Sequence, residues 1–441
     1  MKPQLLIGAL CSGSGKTTFT MGLLRSLQKQ GLQVQPFKCG PDYIDTKFHS
    51  MATGNESVNL DTWLASKEHV SGIYRHYGND ADVCVIEGVM GLFDGYDRMK
   101  GSSAETAALL DVPVVLVVNA RSTAYTVAAQ IYGVKNFCPG VRLAGVVFNN
   151  VTSESHFSLL KDACADAGVE CFGYMPKSAG LEIPSRHLGL TLAAEEMMNE
   201  QIERSADIVS RYVDIDRIIH CCNVSFAGAE NVADNSVCSR GITIAVAKDA
   251  AFNFIYRENI VMLRKIGSVV FFSPLNGDSL PDADLVYLPG GYPELFAEQL
   301  QERHSLMSEL AAYVEGGGRI LAECGGMIFL SNGIIDKDGI NRYSFCGILP
   351  FWCSMQNAHL HLGYREVVDA NGMHWRGHEF HYSEIVDMGG SKESVDTPAV
   401  VARQYNRNGV EVGTSLFRYK NLFAGYTHLY WGETDILKLW D

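Results

Sequence analysis

Gly318-Arg319-Ile320-Leu321-Ala322-Glu323-Cys324-Gly325-Gly326-Met327-Ile328-Phe329-Leu330 is the stretch from which the fold reads outward. It opens on a short apolar run that reads as a buried strand and closes on an apolar helix start. Between them a single thiol is followed by two glycines. Strand, sharp turn and helix make a nucleophile elbow, which lifts the side chain clear of the sheet. The Gly325 N–H is then free to face an oxyanion, and the helix N-terminus favours the thiolate. The competing reading is an inert core cysteine ahead of a helix, so context must decide.

The start of the chain repeats the strand–turn–helix order. Leu5-Leu6-Ile7-Gly8-Ala9-Leu10 reads as a buried parallel strand, and a helical pattern runs through Met21, Leu23, Leu24 and Leu27. Between them lies Cys11-Ser12-Gly13-Ser14-Gly15-Lys16-Thr17-Thr18, a phosphate-binding loop. Backbone N–H groups along Gly13, Ser14 and Gly15 wrap phosphate oxygens, Lys16 neutralises the β/γ-phosphates, and the Thr17 hydroxyl suits Mg²⁺. Leu10 stands where the strict pattern has glycine, but Gly-Ser-Gly-Lys-Thr-Thr keeps the cradle, the lysine and the hydroxyl. Nucleotide binding is expected here, through residues 13 to 18.

Further strands at Val34–Lys38, Val83–Glu87, Val114–Val118 and Ala144–Phe148 alternate with helical stretches such as 104–110 and 124–132. That alternation predicts an α/β fold with a doubly wound parallel sheet. Ligands in such sheets gather at the carboxyl ends of the strands. Two acidic loops lie there, Gly40-Pro41-Asp42-Tyr43-Ile44-Asp45 and Glu87-Gly88-Val89-Met90-Gly91-Leu92-Phe93-Asp94-Gly95. Asp45 and Glu87, with Thr17, are the expected Mg²⁺ ligands. Asp42, Tyr43 and Asp94 are expected to face substrate; the alternative makes Asp42 and Asp94 turn formers. Between about Asn223 and Arg240 the chain turns to Ser, Gly, Ala, Asn and Asp, which predicts a boundary between domains 1–230 and 240–441. The vicinal Cys221-Cys222 falls at this linker and takes no role.

Beyond it, Leu285-Val286-Tyr287-Leu288 leads into Pro289-Gly290-Gly291-Tyr292-Pro293-Glu294. Paired glycines after a strand let N–H groups approach a ligand, so Gly291 is a second oxyanion donor beside Gly325. A cysteine nucleophile needs a base that is near in space and distant in sequence. His428, after the small apolar run Asn421-Leu422-Phe423-Ala424-Gly425, is the candidate. His359, His361, His374, His378 and His381 compete for that role. His378-Glu379-Phe380-His381 lacks the H-E-x-x-H zinc spacing. Hydrogen bonding of His378 and His381 to an acidic ligand at a domain interface is the expectation.

Composition closes off other classes. The chain has 441 residues, 47% hydrophobic and 20% charged, enough for two or three full cores. A formal net charge of −14 without any Lys/Arg run argues against nucleic acid or an anionic membrane as partner. No apolar stretch approaches the ~20 residues that span a bilayer, and no signal peptide is evident. Twelve scattered cysteines without a C-x-x-C pair suggest reduced thiols and a cytoplasmic location.

Taken together, S-G-S-G-K-T-T, F-K-C-G-P-D-Y-I-D-T-K-F-H, N-L-D-T-W, V-I-E-G-V-M-G-L-F-D-G, K-D-A-A-F-N-F-I-Y, L-P-G-G-Y-P-E, A-E-C-G-G and G-H-E-F-H-Y-S resemble the cobyrinic acid a,c-diamide synthase family over nearly the whole chain. The resemblance implies a dethiobiotin-synthetase-like, P-loop ATP-dependent domain followed by a class I glutamine-amidotransferase-like α/β domain. It implies ATP, L-glutamine and a corrinoid ring as partners, Mg²⁺ with the ATP, and an interdomain route for ammonia. Cys324 then matches the nucleophile and His428 its activating histidine. Gly13, Gly15, Lys16 and Thr17 match the ATP loop, and Asp45, Glu87 and Asp94 match acidic positions of the synthetase site. Ordinary class I enzymes show His-x-Glu, whereas this chain has His428-Leu429-Tyr430. Related branches act on hydrogenobyrinic acid or nickel-sirohydrochlorin, and a homodimer is an assembly left open. The alternative from another class is a P-loop ATPase switch with an inert partner-binding second domain.

Overall fold

The computed structural model describes residues 1–177, 192–228, 239–369, 372–386 and 398–441. It divides into two compact units, Met1–Asp234 and Asn235–Asp441. Part of the segment read as the boundary, residues 229–238, lies outside the described residues. Among the described residues no helix is long and apolar enough to cross a membrane.

The first unit is built on one eight-stranded sheet. Its strands are β1 (Lys2–Ala9), β2 (Val34–Cys39), β3 (Val58–Leu60), β4 (Val83–Glu87), β5 (Val114–Asn119), β6 (Leu143–Val151), β7 (Glu170–Pro176) and β8 (Asn223–Val224). The order is β3-β2-β4-β1-β5-β6-β7, with every neighbouring pair parallel, and β8 adds to β1 antiparallel. The apolar runs Leu5–Ile7 and Val114–Val118 are fully buried because helices cover both faces. Helix α1 (Lys16–Lys29) sends Phe19, Leu23, Leu24 and Leu27 into the core, each contributing roughly 1.5–3 kcal/mol. Its polar-looking Gly22 permits close packing, since a Cβ there would stand 2.7 Å from the Ser205 carbonyl on the helix Leu192–Tyr212. The Cys221-Cys222 pair is not linker, as the sequence suggested. Cys221 ends the helix Ile215–Cys221, Cys222 is buried in the core, and its carbonyl accepts from the Gln4 N–H of β1.

The second unit carries a ten-stranded mixed sheet and a small four-stranded one. β9 (Ile242–Ala247), β10 (Gly267–Phe272), β11 (Leu285–Leu288) and β12 (Arg319–Glu323) are parallel. β13 (Ser331–Ile335), β14 (Arg342–Ser344), β15 (Leu349–Ser354) and β18 (Glu384–Val386) form the small sheet. β16 (His361–Asp369), β17 (His374–His381), β19 (Ala399–Asn406), β20 (Leu416–Tyr419), β21 (Leu422–Gly425) and β22 (His428–Tyr430) complete the large one, in the order β10-β9-β11-β12-β21-β20-β19-β16-β17-β22. Two cores lie within this unit, one containing Val286, Ile320 and Phe329, the other Ile244, Leu321 and Trp431. Ile320 and Leu321 alternate between them, as strand geometry requires. The site-forming feature is the β12–β21 pair. The two strands run parallel with Glu323 opposite Gly425. The chains leaving them therefore emerge at the same end, one with Cys324 and the other, three residues on, with His428.

Candidate active sites

In the first unit the phosphate loop spans the gap between β1 and α1, at the carboxyl end of the central strand. Gly13 and Gly15 hold left-handed conformations, φ +75° and +94°, which side chains disfavour. The Ser14 hydroxyl donates to the Cys11 carbonyl at 2.8 Å, and the Asn149 amide donates to the Ser14 carbonyl at 3.0 Å. A Cβ on residue 15 would collide with that Asn149 amide, so loop and amide are fitted to each other. Lys16 is buried and its ammonium donates to the Met90 carbonyl at 2.8 Å. Burial pulls its pKa down, against the pull of Glu87.

Thr17, Asp45 and Glu87 converge beneath the loop. The Thr17 hydroxyl donates to Glu87 Oε1 at 2.6 Å and lies 3.5 Å from Asp45 Oδ2. Lys38 stands between the two carboxylates, 2.6 Å from Asp45 and 3.1 Å from Glu87. His49 Nε2 meets the other Glu87 oxygen at 2.6 Å. Glu87 is fully buried, which raises a carboxyl pKa, yet Lys38 and His49 together hold it well below the usual range. Asp45 is pushed up to about 6 by burial and by Asp42, against Lys38. One hydroxyl and two carboxylates are hard oxygen donors, and an ammonium already sits among them, so the set fits Mg²⁺. Asp42 accepts from the Ile44 and Asp45 N–H groups at 2.8 and 2.9 Å, closing the turn that leads into helix α2 (Asp45–Thr53). Asp94 accepts from the Gly91 N–H at 3.1 Å, and Tyr43 is buried. Both aspartates thus serve the turns of their own loops.

Sequence reading missed Lys38, His49 and Asn149. Lys38 was legible as a charge at the end of a buried strand, and His49 as the residue one helical turn past Asp45. Asn149 carried no local signal.

In the second unit Cys324 occupies a strained turn, φ +45° and ψ −102°, between β12 and the helix Gly325–Leu330. Packing demands both following glycines. A Cβ on residue 325 would stand 3.0 Å from the Gly291 nitrogen, and one on residue 326 would collide with the Leu288 carbonyl. The amides of Gly291 and Gly325 therefore lie at one corner, and the Gly325 N–H is directed at the sulfur. The thiol itself corrects the sequence expectation. Cys324 is only 3% exposed, and its sulfur lies 4.0 Å from the Phe380 carbonyl. Burial, reinforced by the Glu294 carboxylate, pushes the thiol well above its ordinary range. The helix N-terminus does not overcome that burial, so the resting group is a neutral thiol. It remains on the wall of a cavity shared with Phe254, Gly291, Glu294, Phe380 and His381. Burial raises Glu294 to about 7.

His428 reaches this corner from β22. Its ring lies so close to Gly290 that a Cβ there would overlap it, and it packs 5.7 Å from the Phe254 ring. Burial, with His378 and His381 nearby, lowers its pKa to about 3. The imidazole is therefore held neutral, and the same burial makes it a weaker base than a solvated histidine. No Glu follows two residues on; Tyr430 there packs edge-on against Tyr256. The strand is fixed through its backbone instead. Glu323 accepts from the Leu429 N–H at 2.9 Å, while Asn259 donates to the Leu429 carbonyl at 2.8 Å and accepts from the Trp431 N–H at 2.9 Å. Glu323, one residue before the thiol, thereby ties the two strands that carry the pair.

His378 stands opposite His428 in the β17–β22 register, and His381 lines the cysteine cavity, stacked 3.7 Å from Tyr426. Both are built into the second unit beside the cysteine corner. His374 is an exposed strand-end residue beside Glu366.

Comparison with known proteins agrees with this division. Residues 5–190 match the CobQ/CobB/MinD/ParA nucleotide binding domain family, and residues 243–436 match the CobB/CobQ-like glutamine amidotransferase domain family. A cobyrinate a,c-diamide synthase of Picrophilus torridus is 39% identical, covering 97% of this chain and 95% of the relative. One from Listeria innocua is 37% identical, covering 98% and 97%. A hydrogenobyrinate a,c-diamide synthase of Rhizobium meliloti is 38% identical, covering 96% and 98%.

Proposed function

The chain belongs to the cobyrinate a,c-diamide synthase family, and from that premise we propose that it converts the a and c carboxylates of cobyrinic acid to amides, with ATP activating the acid and glutamine supplying the nitrogen. The observation that carries this reading is the presence of both half-reactions' groups on one chain. One is a phosphate loop closing over two buried carboxylates and a lysine; the other is a cysteine on a strained turn packed on the Gly290-Gly291 loop, against whose Gly290 the neutral His428 ring also lies.

In the glutaminase half, glutamine enters the cavity and its amide carbon meets Cys324. Burial raises the thiol and lowers the imidazole, so transfer is unfavourable in the resting protein and the proton passes from sulfur to His428 only as the carbon–sulfur bond forms. The oxyanion is met by the Gly325 and Gly291 N–H groups. His428 returns the proton to the departing ammonia, then activates the water that cleaves the γ-glutamyl thioester. In the synthetase half, the loop amides and Lys16 hold ATP while a ring carboxylate attacks the γ-phosphorus and ADP leaves. Thr17, Asp45 and Glu87 would hold Mg²⁺, which offsets negative charge on the phosphates when bound. Lys38 and His49 keep Glu87 ionised for that task. Ammonia adds to the acyl phosphate, phosphate leaves, and the amide results.

Cys324→Ser tests the assignment. Glutamine hydrolysis and glutamine-dependent amidation should fall at least ~10³-fold, while amidation with ammonium salts continues. Asp45→Asn and Glu87→Gln should behave the other way, keeping glutamine hydrolysis and losing amidation from either nitrogen source. Undiminished hydrolysis in Cys324→Ser would overturn the nucleophile. Offering cobyrinic and hydrogenobyrinic acids side by side identifies the ring.

A further inference from the structure

Near the cysteine cavity, three donors from two segments face one another. His359 Nδ1 lies 3.3 Å and His361 Nε2 3.7 Å from the same Glu384 oxygen, and all three donor atoms fall within 4.8 Å of one another. The two imidazoles sit 4.1 Å apart, centroid to centroid. The His-x-His spacing at the start of β16 allows both rings onto one face. Glu384 joins them because β16 and β17 pair His361 with His381, and β18 begins three residues later.

We propose that His359, His361 and Glu384 bind a divalent transition metal ion of the zinc class. The spacing is the first reason. Ligands held ~2.0–2.1 Å from a tetrahedral ion stand roughly 3.3–3.4 Å apart. The 3.3 Å gap of His359 matches that edge and the 3.7 Å gap of His361 exceeds it by about 0.3 Å, whereas hydrogen bonds between such atoms run shorter, about 2.7–3.2 Å. Donor chemistry is the second. Two imidazole nitrogens and one carboxylate oxygen suit zinc, nickel or cobalt and not magnesium or calcium. The third is a vacancy in the hydrogen bonding. His361 Nε2 is closed to solvent and makes no hydrogen bond among the described residues, and an ion at this point gives it a partner. His359 Nδ1 must exchange its 3.1 Å contact with the Asn357 carbonyl for the metal. The exposure of His359 and Glu384 leaves an entry path and a fourth position for water. The site is distinct from the hard-oxygen set at Thr17, Asp45 and Glu87. It lies one imidazole from the glutamine cavity, since His361 stacks on His381 at 4.6 Å and His381 lines that cavity. The inference stands whether or not the proposed amidation is correct.

The test is titration of the metal-free, full-length protein with Co²⁺ in excess Mg²⁺, followed by visible absorption, and with Zn²⁺ against a chromophoric chelator. One equivalent should bind, with the intense visible bands of four-coordinate Co²⁺. His359→Ala/His361→Ala should weaken binding at least ~10-fold, because loss of a direct ligand exceeds the ~10–100-fold cost of losing an outer partner at its lower end. Glu384→Gln should weaken it also, and Cys324→Ser should bind as the parent does. Circular dichroism and melting curves establish that each variant is folded. Absence of binding by the parent, equal binding by the folded double variant, or loss of binding in Cys324→Ser would each overturn the site.

Discussion

Glu323 shows how one residue links the two catalytic strands. Its oxygens accept from the Tyr287 hydroxyl at 2.7 Å and the Leu429 N–H at 2.9 Å. Burial pushes its carboxyl up to about 8 despite both hydrogen bonds. A raised folded-state pKa contributes stability that is fully present below the ordinary carboxyl range and is lost as pH rises through about 8. Glu323→Gln keeps an acceptor for Leu429 and has no proton to lose. The melting temperature of Glu323→Gln relative to the parent should therefore climb between about pH 5 and pH 9. A difference that stays constant over that span would contradict the burial argument. The residue was quoted in the sequence only as a neighbour of the thiol. Its partner lies 106 positions away, and no local pattern announces such a tie. Lys38 and His49 did carry local signals, a charge ending a buried strand and a position one helical turn past Asp45, but their shared partner Glu87 lies about forty to fifty positions away. Cys324, the glycines and Lys16 were legible because their chemistry is set by adjacent residues.

At the scale of elements, the elbow was readable and its surroundings were not. Strand β12, the turn and the helix Gly325–Leu330 fall where the apolar run and paired glycines place them. The level of exposure differed, because the helix and the Pro289–Glu294 loop close over the sulfur. Gly326 fixes this closure, since any Cβ there would meet the Leu288 carbonyl at the end of β11. Gly326→Ala should cost about 1–3 kcal/mol of stability by overpacking and should lower glutamine hydrolysis, with ammonium-dependent amidation spared. Unchanged melting and unchanged hydrolysis would show that the turn relaxes freely. The parallel strands β1, β4 and β5 were equally plain, as continuous Val/Ile/Leu runs between helices. The antiparallel strands β16, β17 and β19 were not. Their polar alternation resembles loop, and the Asn371-Gly372 turn signal between β16 and β17, strands that pair His361 with His381, went unread. That pairing decides where five histidines go, so their roles stayed open until the register was known.

At the scale of the molecule, two units with separate cores carry two chemistries. The core around Leu5, Phe19 and Val115 belongs to the nucleotide unit, and those around Ile320 and Leu321 to the glutaminase unit. A ligand that binds one folded unit stabilises that unit by mass action. Scanning calorimetry of the full chain should show two transitions, with MgATP raising one and leaving the other in place; equal shifts of both would contradict separate cores. The order of the two units was visible in the sequence because each announces itself with a strand–turn–helix motif. The account as a whole rests on nitrogen passing from glutamine to a ring carboxylate at the expense of ATP. Its most direct test is mass spectrometry of cobyrinic acid incubated with the protein, MgATP and glutamine labelled at the amide nitrogen. The account predicts a product with two acid-to-amide exchanges, both carrying the label, formed only when ATP is present. Glutamine hydrolysis and ATP turnover that leave the ring unamidated, or amides without label, would contradict it.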